Sequence, residues 1–217
     1  MSQDILLFDL DGTLTDSGFG ITRAAQYALD AFGIRVDDAQ SLRFFVGPPL
    51  GESFARYVAP EQIPAIIDKF REYYLARGWC ENTPYPGIHD CVRALRDAGK
   101  RLFVATSKFE PTARRVMEHF ALMPYFEAVC GAPAGDPAAA KKVYIVRRAL
   151  EMAGCTDPGR AVLTGDRCYD IRGGHEAGIR AVGVLYGYGT REELEDAGAD
   201  AVAATPEALQ TLLLQGF

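Results

Sequence analysis

Little in this chain of 217 residues suits a membrane, a disulfide frame or a zinc site. No apolar run approaches the roughly 20 residues that cross a bilayer, and no basic stretch leads into an apolar one of signal-peptide length. Cys80, Cys91, Cys130, Cys155 and Cys168 are odd in number and never take CxxC spacing, the pattern of reduced thiols. His89, His119 and His175 are scattered without ligand spacing, which predicts structural roles. Positive charge is also short: the formal net charge is -6 and the pI about 5.1, against a nucleic-acid backbone as partner. Repeats and low-complexity tracts are missing. These absences predict a cytoplasmic globular protein, with 48% apolar and 24% charged residues enough for a core and a smaller module.

The beginning carries the first positive signal. Ile5-Leu6-Leu7-Phe8 reads as a buried strand and stops at Asp9-Leu10-Asp11-Gly12-Thr13. Residues two apart on a strand share a face, so both carboxylates aim at one place where the strand ends. Like charges that close persist where a cation neutralises them or one is protonated. Oxygen ligands favour Mg²⁺ over softer metals. Taken alone, an Asp-Gly turn bonding its own backbone explains the same residues.

Residues 16 to 84 then carry helical spacing. Ile21, Ala24, Ala25, Ala28, Leu29 and Phe32 predict one helix, and Ile63 to Tyr74 lie in another running from about Glu61 to Arg77. From Gly87 the pattern alternates. Strands are predicted at Arg101–Thr106, Ala128–Cys130, Ala161–Thr164 and Ala181–Leu185, with helices between them and after Arg191 and Pro206. Such alternation predicts an α/β fold with a parallel sheet between helices.

Three further segments carry chemistry. Val104-Ala105-Thr106-Ser107-Lys108 ends a strand in hydroxyls and a base, which fits either phosphate oxygens or a helix cap. Lys141 and Lys142 stand together before a helix. Val162-Leu163-Thr164-Gly165-Asp166 ends another strand in carboxylate, with Asp170 placed either to complete an oxygen-rich shell or to cap the next helix.

In this order the four segments resemble the signature motifs of the haloacid dehalogenase-like superfamily. The text around Val46-Gly47-Pro48-Pro49-Leu50 and Tyr186-Gly187-Tyr188-Gly189 is similar to its capped phosphoglycolate phosphatase-like group, 5′-nucleotidase-like branch. The resemblance implies a Rossmann-like core from residues 1–15 and 85–217, with a helical cap, residues 16–84, inserted after the first strand. It implies a Mg²⁺-dependent phosphatase acting on a small phosphorylated metabolite, either a 5′-nucleotide or 2-phosphoglycolate. A phosphomutase of the β-phosphoglucomutase type is the alternative. Asp9 would be the nucleophile and Asp11 the general acid/base. Thr106, Ser107 and Lys141 would bind phosphate, with Lys142 an alternative to Lys141. Asp9, Asp11 and Asp166 would hold the metal, with Asp170 close behind. Arg43 is the candidate for contacting the leaving group, or else a surface residue.

Overall fold

The structure, a computed structural model, describes residues 3–134 and 138–217. Strand β1 (Ile5–Phe8) is followed by a two-residue strand, β2 (Thr15–Asp16). Helices α1 (Gly18–Ala31), α2 (Leu50–Phe54) and α3 (Ile63–Tyr73) come next, then a second two-residue strand, β3 (Thr83–Pro84). The remainder alternates: α4 (Ile88–Asp97), β4 (Arg101–Phe109), α5 (Glu110–His119), β5 (Ala128–Ala132), α6 (Lys142–Met152), β6 (Ala161–Gly165), α7 (Cys168–Glu176), β7 (Arg180–Val184), α8 (Arg191–Asp196), β8 (Ala201–Ala203) and α9 (Pro206–Gln215). Among the described residues no helix is long and apolar enough to cross a membrane. The chain divides into two compact units, Met1–Thr15 with Pro84–Phe217, and Asp16–Thr83.

The first unit is a six-stranded parallel sheet in the order β5-β4-β1-β6-β7-β8. From β1 the chain builds outward through β4 and β5, then restarts on the other side with β6. The reversal at β1 leaves a crevice beyond the carboxyl ends of the central strands, the usual place for a ligand in such sheets. Alternation along β1 decides what each residue meets. Ile5 and Leu7 join Phe103, Ala105, Ala161 and Leu163 against Ile145, Val146 and Ala149 of α6. Asp9 has the parity of Leu7, so it leaves the strand on the side that α6 covers.

The second unit is built on aromatic packing. Ring centroids of Phe45 and Phe54 lie 4.8 Å apart, those of Phe54 and Phe70 6.2 Å, and those of Phe70 and Tyr74 5.4 Å. Gly20 and Gly78 let two backbones close, since a Cβ on Gly20 would lie 1.9 Å from the Gly78 carbonyl oxygen. The helix expected from about Glu61 to Arg77 is regular only over α3. Residues Tyr74–Gly78 widen into a single π turn, with Trp79 N donating to the Tyr74 carbonyl. The sequence pattern also misses β8, whose three residues are too few to show a period, and ends β4 three residues early.

Candidate active site

Asp9 sits one residue past β1, its backbone N–H donating to the Thr164 carbonyl at 2.9 Å. That bond continues the β1–β6 ladder and brings Asp9 level with the end of β6, from which Asp166 projects. The Lys142 ammonium closes the third side. It lies 2.9 Å from Asp9 Oδ1 and 2.8 Å from Asp170 Oδ1, and donates to the Ala105 carbonyl at 3.0 Å. Burial favours a neutral lysine, but Asp170 and Asp9 outweigh it and hold Lys142 well above the ordinary lysine range.

The lysine expected here from the resemblance was Lys141, and the structure places Lys142 instead. Lys141 is exposed and caps α6, with an extended backbone. Lys142 is the first helical residue and falls in phase with Ile145, Val146 and Ala149, the stripe buried against the sheet. Lys141 is in phase with Tyr144, Arg148 and Met152 on the outer side. One residue is about 100° of helix, which separates a buried ammonium from a solvated one. The periodicity was available in the sequence and would have distinguished them.

Asp166 is fully buried. Its Oδ2 accepts from the Tyr188 backbone N–H at 2.8 Å, and its Oδ1 has a longer contact, 3.5 Å, with the Thr13 hydroxyl. Burial, with Asp170 and Asp9 nearby, raises its pKa well above the usual carboxylate range, against the pull of the Tyr188 N–H and Arg167. Asp9 is pushed up to about 6 by burial above all, then by Asp170 and Asp11, with Lys142 opposing. Asp170 is anchored by its own loop, its Oδ2 accepting from Arg167 N at 3.0 Å.

Glycines make this density possible. A Cβ on Gly12, whose φ is +87°, would lie 2.2 Å from Asp166 Oδ2. One on Gly165 would meet the Asp170 Cβ at 2.2 Å, and one on Gly187 would meet the Asp166 Cβ at 2.4 Å. One on Gly173 would meet the Lys142 Cγ at 2.5 Å. Each side chain is therefore walled in by backbone that only glycine allows so close.

Asp11 lies outside that cluster and is paired with another lysine. Both its carboxylate oxygens lie 2.8 Å from Lys108 Nζ. Thr106 is buried within β4, and its hydroxyl accepts from Lys108 N at 3.2 Å; Ser107 is exposed beside it. Carboxylate oxygens of Asp9, Asp166 and Asp170 all fall within 4.8 Å of one another. Three buried carboxylates faced by one ammonium leave an excess of negative charge that a divalent cation with a preference for oxygen would neutralise. The donor set fits Mg²⁺; Asp170, expected close behind the metal, belongs to the same cluster and is paired with Lys142.

Other residues separate clearly. Arg43 is exposed, in the Asp16–Thr83 unit. The Tyr186 ring packs on Tyr85 at 5.0 Å, while Tyr188 contributes its backbone N–H to Asp166. That N–H and the Lys108–Asp11 pair are site features that sequence reasoning missed. A backbone donor leaves no mark on residue type, and a lysine beside two hydroxyls reads equally well as solvated.

Comparison with known proteins bears on this arrangement. The profile of the family described as "Haloacid dehalogenase-like hydrolase" matches residues 6–184. A Mycobacterium tuberculosis protein named "Tyrosine-protein kinase PtkA" is 38% identical over 98% of this chain and 73% of its own length. A Pseudomonas aeruginosa protein named "5′-nucleotidase" is 37% identical over 87% of this chain and 86% of its own. The crystal structure of a "predicted phosphatase" from Clostridium acetobutylicum superposes with a TM-score of 0.94 at 39% identity, covering 100% of both chains.

Proposed function

The chain belongs to the haloacid dehalogenase-like hydrolase family, as a phosphoric monoester hydrolase, and from that premise we propose a Mg²⁺-dependent phosphatase that works through Asp9 on a small phosphorylated metabolite. A 5′-nucleotide is the first candidate substrate and 2-phosphoglycolate the second. The observation that carries the reading is the buried Lys142 bridge between Asp9 and Asp170, with Asp166 alongside at the sheet's reversal point.

The chemistry is a double displacement. An oxygen of Asp9 attacks phosphorus in line, the bond to the leaving oxygen breaks, and the Asp11 carboxyl gives that oxygen a proton. Water then attacks the aspartyl-phosphate, Asp11 takes its proton, and the Asp9 carboxylate departs from inorganic phosphate. Splitting the transfer this way replaces one difficult step by two easier ones. Lys142, the Thr106 hydroxyl and the backbone N–H of Ser107 bind the phosphoryl oxygens where charge shifts in the transition state. Asp9 and Asp166, with the Asp11 carbonyl, would hold Mg²⁺, which neutralises phosphoryl charge when bound. Lys142 and Asp170 keep the nucleophile oriented. Arg43 is the residue of the inserted unit proposed to select the leaving group.

A second acceptor is favoured by the likeness to the mycobacterial protein named a tyrosine kinase: the phosphoryl group would pass from Asp9 to a hydroxyl instead of water. A phosphomutase is one form of that reading. Phosphate release from nucleotides, phosphoglycolate and sugar phosphates, with Mg²⁺ and with EDTA, tests both. Release that stops in EDTA is expected, with the fastest compound identifying the substrate. No release, but a labelled phosphoryl group appearing on a sugar phosphate or a tyrosine peptide, would replace hydrolysis by transfer.

A further inference from the structure

Lys108 has no part in the chemistry above, yet its side chain is only 7% exposed and spans two strands to reach Asp11. A lysine stem gives up about 2 kcal/mol of rotamer freedom when fixed, and a desolvated ammonium is tolerated only with a partner. The Asp11 carboxylate is such a partner, gripped through both oxygens, which restricts where the carboxyl group can lie.

The backbone under Lys108 is built to hold it. Between Ala105 and Phe109 of β4 the pairing with β5 advances only from Cys130 to Ala132, so β4 bulges and re-aims the side chains there. Gly131 lets β5 close beneath the bulge, since a Cβ on it would lie 2.8 Å from the Lys108 carbonyl oxygen. Glu110 locks that contact, accepting from Gly131 N at 3.2 Å and from Arg148 at 2.9 Å. Lys108 N donates to the Thr106 hydroxyl, so the phosphate-binding segment and the lysine are set by one turn.

We propose that Lys108 is the positioning residue for Asp11, holding its carboxyl group toward the leaving oxygen while Asp9 takes the phosphoryl group. The inference rests on the assignment of Asp9 and Asp11 under Proposed function. Lys108 stays protonated throughout. The proton that reaches the leaving oxygen comes from the neutral Asp11 carboxyl, which accepts from Lys108 through its carbonyl oxygen; the carboxylate then formed accepts through both oxygens and regains its proton from water.

The test reads kcat/KM, which reports formation of the aspartyl-phosphate, against leaving-group quality. An alkyl phosphate needs a proton on its departing oxygen; 4-nitrophenyl phosphate does not. Lys108→Met is expected to lower kcat/KM at least about tenfold for the alkyl ester and less than about threefold for the nitrophenyl ester. Inhibition by inorganic phosphate should stay unchanged, and Lys108→Arg should recover part of the alkyl activity. Retained nitrophenyl activity shows the variant is folded; Lys108→Gln replaces it if the Met variant is insoluble. An equal loss on both esters, or a loss confined to phosphate affinity, overturns the positioning role. Asp9→Asn with the nitrophenyl ester separates the two levels. An inactive Asp9→Asn beside a uniform Lys108→Met effect removes only this inference, whereas a fully active Asp9→Asn removes the function reading beneath it.

Discussion

At the end of the central strands, Asp9, Asp166, Asp170 and Lys142 are crowded together against glycine backbone. In the Asp16–Thr83 unit the interior is Phe45, Phe54, Ile66 and Phe70, and its charged pairs, such as Arg71 with Asp68, lie at the surface. The first region buries like charges, which lowers stability unless a cation arrives. The second buries rings, which raises stability without placing reactive groups. Chemistry and stability are thus held by different residues, and substitutions should separate them.

The largest effect should come from Asp9→Asn. Activity should fall by at least about 10³-fold, while the melting temperature stays level or rises because three crowded carboxylates become two. A melting temperature lowered by more than about 8 °C would show that Asp9 is also structural. Next is the lysine pair. Lys142→Met should lose activity at least about 10²-fold and cost about 3–5 kcal/mol, since it strands Asp170 and Asp9 without their cation. Lys141→Met should change neither, and chemical denaturation alongside an activity assay checks both. Phe54→Ala inverts the pattern: it should cost about 3–5 kcal/mol by opening a cavity among Phe45 and Phe70. Limited proteolysis should then cut within residues 16–83 first.

The smallest effect sharpens the contrast on the core's own surface. Burial works to raise Glu110, but the Gly131 N–H and the guanidiniums of Arg114 and Arg148 together hold it below its ordinary value of 4.5. A carboxyl whose folded pKa is depressed adds stability above its unfolded pKa and loses it as pH falls through the folded one. Glu110→Gln should therefore cost about 1 kcal/mol near neutral pH, discounted for its partial exposure. The difference from wild type should shrink as pH falls below 4.5 and vanish only once pH is below the depressed folded pKa. Urea titrations at two pH values measure it.

Much of the frame was legible in order and spacing. Apolar runs ending in carboxylates at Asp9 and Asp166 carry their position in the chain, because a strand buried on both faces ends where its apolar run ends. The alternation of strand and helix likewise predicts a parallel sheet. Within the site, helical phase already separates Lys142 from Lys141, since the stripe of Ile145, Val146 and Ala149 is written in the sequence.

Other features exist only once the chain is folded. Lys108 and Asp11 are 97 residues apart and meet because β1 and β4 are neighbours and β4 bulges before its end. Tyr188 N reaches Asp166 across 22 residues through a turn in which Gly187 presses on the carboxylate. Local sequence determines which face a side chain takes, since that follows from backbone period. Which distant group it meets there depends on strand order and register, and those are decided by the packing of the whole sheet.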